Sequence, residues 1–220
     1  MTATTSRGYM RAALGDRDEA LDRVLRRSLL ERGMPTIMID DNAGRFLQLV
    51  THLHRPRHVV EIGTLFGYSA IHIARGLPPG GRLTTLEIDP AAAELARENF
   101  EIARVADRVE VLVGDAAGHL AEMERASVGM LFIDGDKKSY PSYLKLGFAL
   151  VEPGGLLVAD DAFAHGDFGA ESDPDAGPDR EARAIRTYAG AVGRSPLLFS
   201  AFVATESGLL VSRKKHPDDR

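Results

Sequence analysis

Two short runs in the sequence end in carboxylates: Leu131-Phe132-Ile133-Asp134-Gly135-Asp136-Lys137-Lys138 and Leu157-Val158-Ala159-Asp160-Asp161. Each starts as an apolar segment. If the two are neighbouring strands about 4.8 Å apart, Asp134, Asp160 and Asp161 converge at one edge of a sheet. Three bare negative charges there would repel one another. A divalent, oxygen-loving cation such as Mg²⁺, Mn²⁺ or Ca²⁺ would relieve that repulsion, with water or substrate oxygens completing its shell. The chain has no cysteine, and its histidines show no metal-ligand spacing, so nothing points to zinc. Lys137 follows Asp134 by three residues. Beside a cation its pKa should fall, which would suit a general base. The competing reading has these acids capping helices or pairing with Lys137 and Lys138. His165, just past the second run, reads as a lid residue rather than a ligand.

A second group of residues suits a nucleoside. Val59-Val60-Glu61-Ile62-Gly63-Thr64-Leu65-Phe66-Gly67-Tyr68-Ser69 is a buried strand, a glycine-bounded turn and the start of a helix. Gly63 lets the backbone approach a ligand, Gly67 permits a tight start to the helix, and the exposed amides favour a carboxylate or phosphate. Glu87 closes the next strand in LTTLEID, where an acid can accept both hydroxyls of a ribose. Asp89 before Pro90 reads as a helix cap. The third strand ends Val113-Gly114-Asp115-Ala116, which puts Asp115 within reach of an exocyclic amine of adenine, or else at a helix N-cap. The turn reads GTLFG rather than G-x-G-x-x-G, which disfavours a nicotinamide dinucleotide.

These residues need a frame that brings strand ends together. From His58 onward, short β-branched runs alternate with helix-length amphipathic segments, the pattern of a mainly parallel sheet covered by helices. The strands are predicted at His58–Ile62, Arg82–Ile88, Val109–Val113, Val128–Asp134, Leu156–Ala159, Leu197–Ala204 and Gly208–Ser212. Helices are predicted at Ser69–Arg75, Pro90–Val105, Ala116–Glu124, Tyr140–Leu150 and Arg180–Val192. The last two strands are joined too tightly for a helical crossover, so they should pair antiparallel. Ahead of the sheet, Arg17–Arg32 and Asn42–His52 read as amphipathic helices forming a cap over one end. The Gly-, Pro- and Asp-rich stretch His165–Asp179 reads as a mobile surface loop, either a lid or plain solvated chain.

The composition limits the function classes. The 220 residues suffice for one α/β domain, divided here into a helical cap over 1–56, a core over 57–214 and an insertion loop over 163–179. With 44% hydrophobic and 27% charged residues, the chain has the balance of an ordinary globular protein. A net charge of -5 makes nucleic acid an unlikely partner, because the surface as a whole repels a polyanion. The polar start MTATTSRGYMRAALGDRDEA lacks an apolar h-region, and no stretch approaches the ~20 apolar residues of a bilayer span. A cytoplasmic protein without membrane contact is therefore expected. Leu21, Val24, Leu25, Leu29 and Leu30 recur at helical spacing and could serve a homodimer, or could pack on the protein's own sheet.

Taken together, EIGTLFGYSAIHIA, TLEIDP, VLVGDA, FIDGDKKSYPSY and GGLLVADD resemble, in order and spacing, the cation-dependent small-molecule O-methyltransferases, the family of catechol and caffeoyl-CoA O-methyltransferases. The resemblance runs from about Met38 to Lys214. It implies a Rossmann-like class I methyltransferase fold with a seven-stranded, mostly parallel sheet. It also implies S-adenosylmethionine (SAM) as methyl donor, a divalent cation, and a hydroxylated aromatic or vicinal-diol acceptor. By that resemblance Met38, Glu61, Gly63, Thr64, Gly67, Ser69, Glu87, Ile88, Asp89, Asp115, Ala116 and Asp134 would contact SAM. Asp134, Asp160 and Asp161 would hold the metal, and Lys137 with Asp134 would serve catalysis. Two departures stand out: Asp161 replaces the usual asparagine ligand, and Tyr188-Ala189 stands where relatives carry an aromatic followed by asparagine. The alternatives are methylation of a hydroxyuridine in tRNA, and a non-catalytic SAM-binding protein with a degenerate metal site.

Overall fold

The computed structural model describes residues 6–15, 17–166 and 180–219. The insertion loop expected over 163–179 therefore lies outside the described residues from 167 onward. Three helices precede the sheet: α1 (Ser6–Leu14), α2 (Glu19–Leu25) and α3 (Asp41–His54). The predicted helix Arg17–Arg32 begins two residues late, because the Asp18 side chain caps it by accepting from the Leu21 amide at 3.1 Å. Its second half, Arg26–Glu31, widens into a π-helical turn. Asp40 caps α3 in the same way, accepting from Asn42 and Ala43 at 2.8 and 3.0 Å. Helix α1 was not foreseen in the polar N-terminal stretch.

The remaining elements alternate as predicted: β1 (His58–Ile62), α4 (Tyr68–Gly76), β2 (Arg82–Glu87), α5 (Pro90–Ala103), β3 (Val109–Val113), α6 (Ala116–Glu122), β4 (Val128–Ile133), α7 (Tyr140–Leu150), β5 (Val151–Ala159), α8 (Arg180–Gly193), β6 (Leu198–Val203) and β7 (Leu209–Lys214). They form a seven-stranded sheet in the order β3-β2-β1-β4-β5-β7-β6. Strands β1 to β5 pair in parallel, and β7 runs antiparallel to both β5 and β6. The chain thus passes beyond β7's place to lay down β6 at the edge, then returns to fill the gap. Strand β5 begins five residues earlier than expected. Its pairing with β4 shifts register between Val128 and Met130, where Gly154 (φ 86) and Gly155 absorb an irregularity. A side chain at Gly155 would meet Val151 Cγ1 at 2.7 Å.

The sheet's period of two divides its apolar residues between two cores. Val59, Met130, Phe132 and Val158 face α2 to α5. Val60, Leu131, Ile133 and Leu157 face α6 to α8. Leu21, Val24 and Leu25 of α2 are buried in the first core, so that apolar stripe packs on the protein's own body, and of its five residues Leu30 alone is fully exposed, at 80%. No helix among the described residues is long and apolar enough to cross a membrane.

Candidate active site

The carboxyl ends of β1, β2, β3 and β4 open onto a cavity of about 630 Å³. Crevices outside strand ends, where chain order reverses direction along a sheet, are the usual ligand positions in such folds. Here β1 is that point, flanked by β2 and β4. The turn that follows β1 depends on its glycines. Gly63 has φ 97, and a Cβ there would run into the Asp134 carbonyl oxygen; Gly67 has φ 86, and a Cβ there would strike the Phe100 ring. Between them, Thr64 and Leu65 donate their amides to Glu87 Oε2 at 3.1 and 2.7 Å, and Asp89 donates its amide to Glu87 Oε1 at 2.9 Å. Glu87 therefore staples the β1 turn to the end of β2 as well as facing the cavity.

Glu61 lies behind this wall and is fully buried. Thr85 Oγ1 donates to its Oε2 at 2.6 Å, while Oε1 has no partner in hydrogen-bond geometry among the described residues. Burial pushes the Glu61 carboxyl up to about 7, against the downward pull of the Ser69 and Thr85 hydroxyls. Asp115 accepts from the Gly118 amide at 3.1 Å, so it caps α6, and it also lines the cavity. Of the two readings of that residue, the helix cap is the one the hydrogen bond bears out.

At the ends of β4 and β5, Asp134, Asp160 and Asp161 each offer one carboxylate oxygen, all within 4.8 Å of one another. Strand pairing explains the meeting, since Ile133 is in register with Ala159. Asp161 adopts a left-handed conformation, φ 53, which turns the chain sharply after β5. Burial, reinforced by the neighbouring acids, raises the pKa values of Asp160 and Asp134, and Lys137 opposes this. Ser207, in the turn between β6 and β7, donates to Asp160 Oδ1 at 2.8 Å.

Lys137 Nζ reaches Asp134 Oδ1 at 2.6 Å, Asp161 Oδ2 at 2.8 Å and the Tyr140 hydroxyl at 3.2 Å. Burial acts to lower its pKa, but the charges of Asp134 and Asp161 outweigh that and raise it. The lowering expected for a base thus needs a further positive charge that the described residues do not supply. Tyr140 is fully buried, and its hydroxyl lies 3.2 Å from the carbonyls of Ile133 and Asp160. Tyr188 packs edge-on against it at 5.6 Å.

Of the residues singled out in the sequence, Met38, Gly63, Thr64, Ser69, Glu87, Ile88, Asp115, Ala116, Asp134, Lys137, Asp161 and His165 line the cavity. Glu61, Gly67, Asp89 and Asp160 do not: Glu61 and Asp160 sit behind it, Gly67 supports its turn, and Asp89 caps α5. Sequence reasoning missed Tyr68, Tyr143 and Glu181 on the wall. Tyr68 donates to Asp41, which also takes Arg17 at 2.6 Å, so the N-terminal helices reach the cavity through a polar chain. A tyrosine one residue after a turn glycine was the only available signal for this.

A family model described as O-methyltransferase matches residues 13–215. Among curated proteins, the catechol O-methyltransferase of Niastella koreensis is 40% identical over 161 residues, 72% of each chain. That of Mycobacterium tuberculosis is 38% identical over 172 residues, 78% of this chain and 76% of its own. Among solved structures, the O-methyltransferase TomG of Streptomyces achromogenes, in complex with SAM, aligns with TM-score 0.82 at 31% identity over 94% of both chains. The O-methyltransferase of Bacillus cereus, in complex with SAH, aligns with TM-score 0.81 at 28% identity, covering 94% of this chain and 96% of that one.

Proposed function

The chain belongs to the O-methyltransferase family, and we propose that this SAM-dependent enzyme methylates a hydroxyl of a catechol-like or vicinal-diol small molecule with the help of a divalent cation. The observation that carries the reading is the carboxylate triad, three oxygens within 4.8 Å from two adjacent strand ends, beside the cavity bounded by the Gly63–Gly67 turn. The donor set suits a hard cation, since all three ligands are carboxylates and the chain contains no cysteine. The carboxylates of Glu87 and Asp115, on the cavity wall, suit a cofactor that brings hydrogen-bond donors. When bound, SAM supplies an activated methyl group and the cation lowers the pKa of a chelated hydroxyl.

The chain's own residues supply position and proton handling. Residues 57–214 form the SAM-binding core in this scheme, with 1–56 capping it. Gly63 admits the cofactor against the backbone, Glu87 and Ile88 take the ribose side, and Asp115 and Ala116 take the adenine. Met38 stands at the reactive end. Asp134, Asp160 and Asp161 hold the cation, while Lys137 Nζ takes the hydroxyl proton. Alignment of donor and acceptor accounts for much of the rate gain in such a displacement. The proposed homodimer uses exposed residues such as Leu30 of the π-turn and Leu49 and Leu53 of α3, since the other leucines of the α2 stripe face inward. Sedimentation velocity at micromolar concentration tests that.

The decisive experiment screens methyl transfer to catechols, acyl-CoA esters and hydroxyuridine-containing tRNA with Mg²⁺, with Mn²⁺ and with EDTA. Methylation of a catechol that EDTA abolishes is expected. Full activity in EDTA, or activity on tRNA alone, overturns the reading.

A further inference from the structure

The cluster already contains a positive charge that bridges two of its three carboxylates. Lys137 Nζ bridges Asp134 Oδ1 and Asp161 Oδ2, at 2.6 and 2.8 Å. Its third hydrogen is directed to the Tyr140 hydroxyl at 3.2 Å. All three ammonium hydrogens therefore have oxygen partners, and the side chain is only 17% exposed. A divalent ion coordinates carboxylate oxygens at roughly 2.0–2.6 Å. An ion bound through these two oxygens would occupy the space of the ammonium, and the two positive charges would repel at contact distance.

We propose that Lys137 is a built-in counter-ion of the carboxylate cluster, which a divalent cation must displace, so that loading the metal and freeing the lysine are one event. The inference rests on the cation-assisted reading above and adds a competition that the reading does not require. Asp161 is central to it. An asparagine at this position could still accept a hydrogen bond but could not form the second ion pair, and Asp134 would be the only carboxylate paired with the lysine. The carboxylate that makes this cluster more negative is thus also the one that anchors its internal cation. The same step gives Lys137 two states, tied down as a counter-ion in the ion-free chain and available to the acceptor once the ion is in place.

The test is Mn²⁺ binding to the full chain, read from the loss of the free-ion paramagnetic resonance signal. Lys137→Gln removes the competing charge and should tighten Mn²⁺ binding by roughly tenfold or more. Lys137→Arg keeps the charge and should remain within about threefold of the wild type. A Lys137→Gln chain that binds Mn²⁺ no more tightly than wild type overturns the counter-ion role and leaves the cation reading standing. If wild type and both variants all fail to bind Mn²⁺, the cation reading itself fails and this inference with it. A readout independent of any variant is acetylation of the wild-type chain by acetic anhydride, followed by peptide mass spectrometry. Mn²⁺ should raise labelling of Lys137 severalfold and leave the exposed Lys145 unchanged; unaltered labelling of Lys137 in Mn²⁺-loaded protein overturns the proposal.

Discussion

The turn after β1 and the cluster at the ends of β4 and β5 share one cavity wall, yet they are held in opposite ways. The turn is satisfied from within: Glu87 accepts three backbone amides, and the path's positive φ values fall on Gly63, Leu65 and Gly67. The cluster is not. It gathers three acids and one lysine, with Asp160 only 4% exposed and pushed toward its neutral form by burial and by its neighbours. A site that binds by shape can be complete without its ligand. A cluster in which acids outnumber bases keeps part of its repulsion unless a further positive charge joins it.

That contrast can be broken at either side. The largest effect is expected at the charged end, where EDTA, or Asp160→Ala, should lower turnover by roughly 10³-fold while largely sparing SAM binding, because only the step that needs the cation is lost. Turnover assays paired with calorimetric SAM titration check this, and equal losses in both would erase the distinction between the two ends. At the other end, Gly63→Ala should cost about 3 kcal/mol of folding stability. It forces a side chain into a φ of 97 against the Asp134 carbonyl, and urea unfolding would measure the loss. A stable Gly63→Ala chain with intact SAM affinity would show that the turn is less tightly specified than its geometry implies.

Glu61 sharpens the comparison, because it is a buried charge on the side otherwise satisfied by backbone. Its carboxyl binds a proton more tightly folded, at about 7, than unfolded, at 4.5. The native state is therefore favoured below pH 4.5 and loses that advantage as pH rises to about 7, beyond which the cost is constant. Glu61→Gln should accordingly stabilise the SAM-free protein at pH 8, by roughly 3 kcal/mol at most, and make little difference at pH 4.5. Melting temperatures at the two pH values decide it, and a gain at pH 4.5 equal to that at pH 8 would remove ionisation as the cause. The smallest effect is expected for Asp161→Asn, which keeps an oxygen ligand while removing one charge. Turnover should stay within about tenfold of wild type and metal preference should move toward Mg²⁺, as read from rates with Mg²⁺ and Mn²⁺.

The same division marks what could be read in the sequence. Strand ends carrying Glu61, Glu87, Asp134 and Asp160 were legible because apolar runs stop abruptly at an acid, and parallel pairing brings such ends to one edge. The antiparallel pairing of β6 and β7 followed from the few residues between them. What was not legible depends on contacts between distant residues. Nothing local marks Glu87 as the acceptor of the Thr64 and Leu65 amides, or Tyr140 as the third partner of Lys137. Strand β5 extends upstream of its predicted start at Leu156, because the sheet absorbs Pro153-Gly154-Gly155 as an irregularity. The leucines of α2 showed helical spacing, but spacing alone does not tell an outer interface from an inner one.

Asp134 joins the two halves in a way that bears on manufacturing accuracy. Its amide is bonded to the Ile62 carbonyl at 2.9 Å, its own carbonyl lies where a Gly63 side chain would be, and its carboxylate belongs to the acidic triad. In a machined part, two features located from one reference point keep their spacing even when the part is mounted slightly askew. Here that reference is a single residue. Under the proposed placement of cofactor and cation, small errors in how helices settle on the sheet would displace both sites together and leave the gap a methyl group must cross unchanged.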